Sequence, residues 1–183
     1  MNRIPRRAFP AFILFVVAGL LAGCVHPAAR QGFSPTPSES RLADAMARRL
    51  EVSRRVAWVK FLDNRPVRDD RREAEILAEV VRLGEGSGLS ARTVGKFFAA
   101  QMRASRKEQE RLIASWKRGG TLPAYPPQDL KTHIRPELDG INRQMLEALR
   151  VPPRPGTGRF VYGVLREWGF SPFVAGAAVA PLP

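Results

Sequence analysis

Two cations set into the apolar stripe of one long helical stretch constrain this chain more than any other feature. Between Arg49 and Glu73 it reads RLEVSRRVAWVKFLDNRPVRDDRRE. Arg49 and Lys60 are eleven residues apart, about three helical turns, so they return to nearly the same angle on a helix. Leu42, Met46 and Val56 share that angle, whereas Arg48, Arg54 and Arg55 point elsewhere. A cation removed from water is costly unless something pairs it, and no carboxylate lies on that face of the helix. The pattern asks for an anionic ligand.

Export is the second reading. Arg3, Arg6 and Arg7 precede an almost wholly apolar run from Phe9 to Leu21. That run is too short for a comfortable membrane span and has the form of a targeting segment. It ends in Leu21-Ala22-Gly23-Cys24, which resembles the lipobox of bacterial lipoproteins, where the cysteine becomes the lipidated first residue. Cys24 is the only cysteine, so no disulfide forms within the chain. Residues 1–23 read as a lipoprotein-type signal peptide and 24–37 as a linker after lipidated Cys24. Residues 38–150 read as the folded domain, and 151–183 as a Pro-rich tail of unassigned packing. The expected location is the periplasm, with the chain held on the envelope by its lipid.

The formal charge of +13 falls by three, to +10, once the arginines of the signal are removed. Such a balance suits nucleic acid, anionic lipid or a small anionic substrate. Export argues against nucleic acid. The spread of Lys and Arg over several helices argues against a polybasic membrane patch.

Within the domain the expected elements are all helical. The first helix spans about Ser38 to Leu62 and is broken at Asp63-Asn64-Arg65-Pro66. The second begins near Asp69 and ends at Gly84. The third is capped by Ser90 and runs to about Lys117, stopping at Gly119-Gly120. The fourth carries Leu138, Ile141, Met145 and Leu149. No segment alternates with period two, so the fold class is an all-α bundle. In the tail, only one short helix around Phe160 to Trp168 is expected.

The third helix repeats the peculiarity of the first. Phe98, Val94, Leu112 and Trp116 fall within about 20° of Ser105, and Gln109 lies one turn further on the same face. A hydroxyl and an amide thus interrupt an apolar stripe, either as interhelical hydrogen bonds in the core or as the other wall of a polar pocket. Asp69, Arg72 and Glu73 stand at i, i+3 and i+4, which by spacing alone is an exposed ion pair at a helix start. Arg135, just before Pro136, reads by itself as a surface arginine at a helix start. His26 and His133 have no metal-ligand spacing around them. There is no nucleophile motif, phosphate loop or dinucleotide fingerprint, so no metal or other cofactor is expected.

Arg49, Lys60, Arg65-Pro66-Val67-Arg68-Asp69 and Arg72-Glu73, followed by Ser105 and Gln109, resemble the signature of the AroQ-class, all-helical chorismate mutases. The resemblance covers about residues 40 to 150. It implies the helical bundle of that family and a cofactor-free Claisen rearrangement of chorismate to prephenate. It assigns Arg49, Arg72 and Arg135 to the two substrate carboxylates and Lys60 with Gln109 to the ether oxygen. Ser105 would help hold a carboxylate, and Asp69 with Glu73 would meet the substrate hydroxyl. Because Arg135 lies on the last bundle helix of the same chain, the order of parts is similar to the exported, gamma-type enzymes, whose protomer holds its whole site. A homodimer is common there and not needed for the chemistry. Two other functions stay open at this point. One is an inactive relative that binds an anionic metabolite or a protein partner at the envelope. The other is a structural lipoprotein whose charges are all on its surface.

Overall fold

The computed structural model describes residues 33–183, so the expected signal peptide, Cys24, His26 and most of the linker lie outside the described residues. The described part forms six α-helices: α1 (Pro37–Leu62), α2 (Asp70–Gly86), α3 (Ala91–Lys117), α4 (Arg135–Leu149), α5 (Thr157–Glu167) and α6 (Pro172–Val179). A single π turn, Leu130–Ile134, leads into α4. α1 is the axis of the bundle, packed on α3, α4 and α5; α2 closes against α3 and α4. Leu42, Met46, Leu50, Phe98 and Met145 fill the space between them and are essentially inaccessible to solvent.

The helix boundaries follow local chemistry. Thr36 caps α1 through a reciprocal pair: Glu39 N–H donates to Thr36 Oγ1 at 3.2 Å, and Thr36 N–H donates to Glu39 Oε2 at 2.7 Å. Asp69 and Ser90 cap α2 and α3. After α1 the chain reverses at Asn64, held at φ 50°, a left-handed conformation that asparagine tolerates.

The expected end of α2 at Gly84 is not where the helix stops; it continues to Gly86. Gly84 serves a packing purpose instead. A Cβ there would lie 2.7 Å from Val94 Cγ2, so its missing side chain lets α2 and α3 approach closely. The π turn ahead of α4 also has a local cause. Pro136 has no N–H to donate, and the Arg135 N–H bonds to the Leu130 carbonyl in the wider i→i+5 pattern. Arg135 therefore sits inside a continuous helical run and not at a frayed start.

The tail forms two helices where the sequence suggested one, and both are packed on the bundle. Phe170 is fully buried, with the Arg54 guanidinium 4.3 Å from its ring centroid. α6 lies on α3, where Gln101 Nε2 donates to the Ala178 carbonyl at 2.9 Å. With eight residues, nearly all apolar, α6 is too short and too uniform to show a 3.6-residue period.

One carboxylate ties the start of α1 to the tail. Glu39, 3% exposed, accepts from Arg154 Nη2 at 2.6 Å, from Arg154 Nε at 3.0 Å and from Thr157 Oγ1 at 2.7 Å. The Arg154 guanidinium is the chief reason its carboxyl is held well below the usual carboxylate range, against the opposing effect of burial. A depressed folded-state value contributes stability above the ordinary glutamate value and loses it as pH falls through the folded one. Glu39→Gln is expected to lower unfolding free energy by about 1–3 kcal/mol at neutral pH. In urea melts that gap should narrow steadily below about pH 4. A gap independent of pH would show that the charge is not what matters.

Candidate active site

The helices meet around a cleft of about 880 Å³, its open mouth included. α1 contributes Arg49, Ser53, Val56 and Lys60, and the α1–α2 connection contributes Arg65, Val67 and Asp69. Arg72, Glu73 and Ile76 come from α2, while Met102, Ser105, Arg106 and Gln109 come from α3. The π turn and α4 close the cleft with Leu130, Ile134, Arg135, Leu138, Asp139 and Asn142. All eight residues singled out in the sequence for substrate contact (Arg49, Lys60, Asp69, Arg72, Glu73, Ser105, Gln109 and Arg135) line this one cleft in a single chain. Six cations face three carboxylates in its lining, an excess that suits a compact dianion.

Arg49 is 4% exposed and is held by neutral acceptors. Nη1 donates to Ser105 Oγ at 2.6 Å and to the Gln101 carbonyl at 3.3 Å, and Nε donates to Asn142 Oδ1 at 3.2 Å. Its acceptors thus come from α3 and α4. Burial lowers its pKa to about 10, with the charge of Glu73 working in the other direction, so it stays protonated at neutral pH. Among the described residues no carboxylate hydrogen-bonds to it.

Lys60 is half-buried, and its Nζ donates to the Val67 carbonyl at 2.5 Å. Its pKa is pushed below the ordinary 10.5, first by burial and also by Arg65, with Asp69 and Glu73 opposing. Gln109 is 7% exposed, and its buried Oε1 has no hydrogen-bond partner among the described residues. A buried amide left unsatisfied is uncommon and costs stability.

The acidic residues are arranged differently from a simple ion pair at a helix start. Asp69 Oδ1 accepts the Arg72 N–H at 3.0 Å, acting as the cap of α2. Arg72 pairs outward with Glu75 at 3.3 Å, and Glu73 pairs with Arg106 of α3. Arg106 was not among the residues singled out in the sequence, nor was Asn142 given a role there. Asn142 carried a legible signal, a polar residue on the apolar face of α4. Arg106 carried none, since it lies about 100° around α3 from Ser105.

Comparison with known proteins points one way. A family model described as chorismate mutase type II matches residues 39–110. A monofunctional chorismate mutase of Enterobacter agglomerans is 30% identical over 147 residues, covering 80% of this chain and 74% of the relative. A secreted chorismate mutase of Mycobacterium tuberculosis is 28% identical over 134 residues, covering 73% and 66%. Among solved structures, the chorismate mutase of Burkholderia phymatum superposes with a TM-score of 0.70 at 26% identity, over 80% of this chain and 98% of that one. The secreted chorismate mutase of Yersinia pestis shares the fold, with a TM-score of 0.68 at 20% identity over 77% and 94%.

A cation kept in the core for a ligand should add little to folding. Arg49→Met removes a desolvation cost but leaves three neutral acceptors without their donor, so unfolding free energy is expected to fall by no more than about 1–2 kcal/mol. Leu50→Ala beside it should cost about 2–5 kcal/mol. Chemical denaturation of both variants checks this, and a loss at Arg49 as large as at Leu50 would make the guanidinium a structural element.

Proposed function

The chain belongs to the type II chorismate mutase family, and from that premise we propose how its cleft carries the reaction. The protein converts chorismate to prephenate. The observation that carries the assignment to this cleft is that Lys60 of α1 and Gln109 of α3 both line it beside Arg49, a buried cation without a carboxylate partner among the described residues.

The reaction is unimolecular: the ether C–O bond breaks as a C–C bond forms, and no nucleophile or cofactor takes part. The protein has to select a compact, chair-like conformer and stabilise charge as it develops. Arg49, Arg72 and Arg135 grip the two carboxylates, for which planar guanidinium groups are matched bidentate donors. Holding both ends fixes the conformer before the bonds change. Arg72 gives up Glu75 to do so. Ser105, already bonded to Arg49, supports the same carboxylate, and Asp69 with Glu73 receives the substrate hydroxyl. Negative charge grows on the ether oxygen as its bond breaks, and Lys60 with Gln109 meets it with donors already in place.

The subclass is the exported, gamma type, a reading supported by one protomer supplying all eight residues. Since no partner residue is needed, pairing into a homodimer leaves activity per protomer unchanged. Export to the periplasm on a Cys24 lipid anchor is supported by the basic, apolar and lipobox sequence of residues 1–24. Relatives described as secreted point the same way.

The direct test is chorismate consumption by the purified protein. Lys60→Ala should lower kcat by about 10²–10³ without unfolding the bundle, and intact turnover in that variant would remove Lys60 from the chemistry. Gln109 donates at any ordinary pH, so the rate should stay level between about pH 5 and 7.5, above the usual carboxylate range. Gln109→Glu must be protonated to donate and should become acid-favouring; an unchanged profile would end this role for Gln109. At the alkaline side kcat/KM, which reports the free enzyme, should fall with a midpoint below the ordinary lysine value of 10.5. The midpoint in kcat should lie higher, because a bound dianion favours the charged amine.

A further inference from the structure

A cleft built to receive a dianion faces a difficulty of its own making. Its lining includes Asp69, Glu73 and Asp139, and any carboxylate that reaches the gripping cations competes with the substrate for them. Asp69 is occupied as the cap of α2. Glu73 stands one turn further along α2, and its charge is felt by both Arg49 and Lys60. Neither of them bonds to it. Its partner is Arg106 Nη1, in an ion pair whose side chains are only 28% and 23% exposed. Arg106 follows Ser105 directly and precedes Gln109 by three residues, so a single stretch of α3 presents all three to the cleft.

We propose that Arg106 is a positioning residue: it holds Glu73 towards α3, off Arg49 and Lys60, so that those cations stay open to substrate. The inference rests on the reading of the cleft as the chorismate site. The physical reason is competition. A free carboxylate near a guanidinium or ammonium group forms charge-assisted hydrogen bonds. A ligand that must first displace it binds more weakly in proportion to the fraction of sites left open. Arg106 supplies that carboxylate with a partner that the substrate does not need. The pair also fixes Glu73 in place to accept a hydroxyl.

The test is a double-mutant cycle with a spectroscopic readout. Wild type, Arg106→Ala, Glu73→Gln and the double variant are assayed for kcat and KM, with Arg106→Lys as the conservative rescue. In the same proteins the Lys60 ammonium is titrated by NMR on lysine-labelled material. The charged groups lining the cleft around it are Arg49, Arg65, Asp69, Arg72, Glu73, Arg106, Arg135 and Asp139, and only Glu73 and Arg106 change in the cycle. Arg106→Ala should raise KM roughly ten-fold with a smaller change in kcat, and should shift the Lys60 titration upward as Glu73 moves nearer. Arg106→Lys should recover most of both. With Glu73→Gln already present, removing Arg106 should change KM by less than about two-fold and leave the Lys60 titration where it was. An equal rise in KM in both backgrounds would mean that Arg106 contacts substrate itself, and no change in either readout would mean that Glu73 needs no restraint. If the wild type turns over no chorismate, the reading of the site fails, whereas the Lys60 titration still decides whether Arg106 restrains Glu73.

Discussion

The buried guanidinium of Arg49 is the interaction on which the rest of the site depends. Its neutral acceptors come from two other helices: Ser105 and the Gln101 carbonyl on α3, and Asn142 on α4. Together these fix how α1, α3 and α4 meet without cancelling the charge. Had a carboxylate stood in their place, the bundle would hold an ordinary buried salt bridge with nothing left for a ligand. Burial lowers the pKa of Arg49 only to about 10, so the cation survives in the core at any physiological pH. This is an arrangement in which binding capacity, and not folding stability, explains the residue.

The same separation of roles runs through the other charges. Glu39 and Glu108 are buried carboxylates, and each is closed by its own arginines: Arg154 for the first, Arg54 and Arg111 for the second. Those pairs are structural, binding the tail to α1 and α1 to α3. In the cleft the matching is incomplete, with cations in excess, Asp69 committed to a helix cap and Glu73 to Arg106. The contrast leaves the cleft with an excess of cations gathered around one concave space, where a small anion can be held.

The tail acts on this site from behind. Phe170 lies under Arg54, which in turn holds Glu108, the residue before Gln109. α6 accepts from Gln101, whose own carbonyl holds Arg49. The two short helices therefore back the same turns of α1 and α3 that carry the reactive side chains.

Much of this was legible in the sequence because it rests on periodicity and local chemistry. The four long helices, the start of α2 near Asp69, the cap at Ser90, and the polar interruptions at Arg49, Lys60, Ser105 and Gln109 all follow from a 3.6-residue period and from what a backbone terminus requires. A single helix records which of its faces is apolar and where that face is broken. It does not record which neighbour lies opposite. Only tertiary structure decided that Gly84 is a contact and not a terminus, that α6 is a helix at all, and that Glu73 faces Arg106 while Arg72 turns to Glu75. Each of those outcomes depends on a residue far along the chain, or on a choice between partners at equal spacing, and such choices are settled by packing in three dimensions.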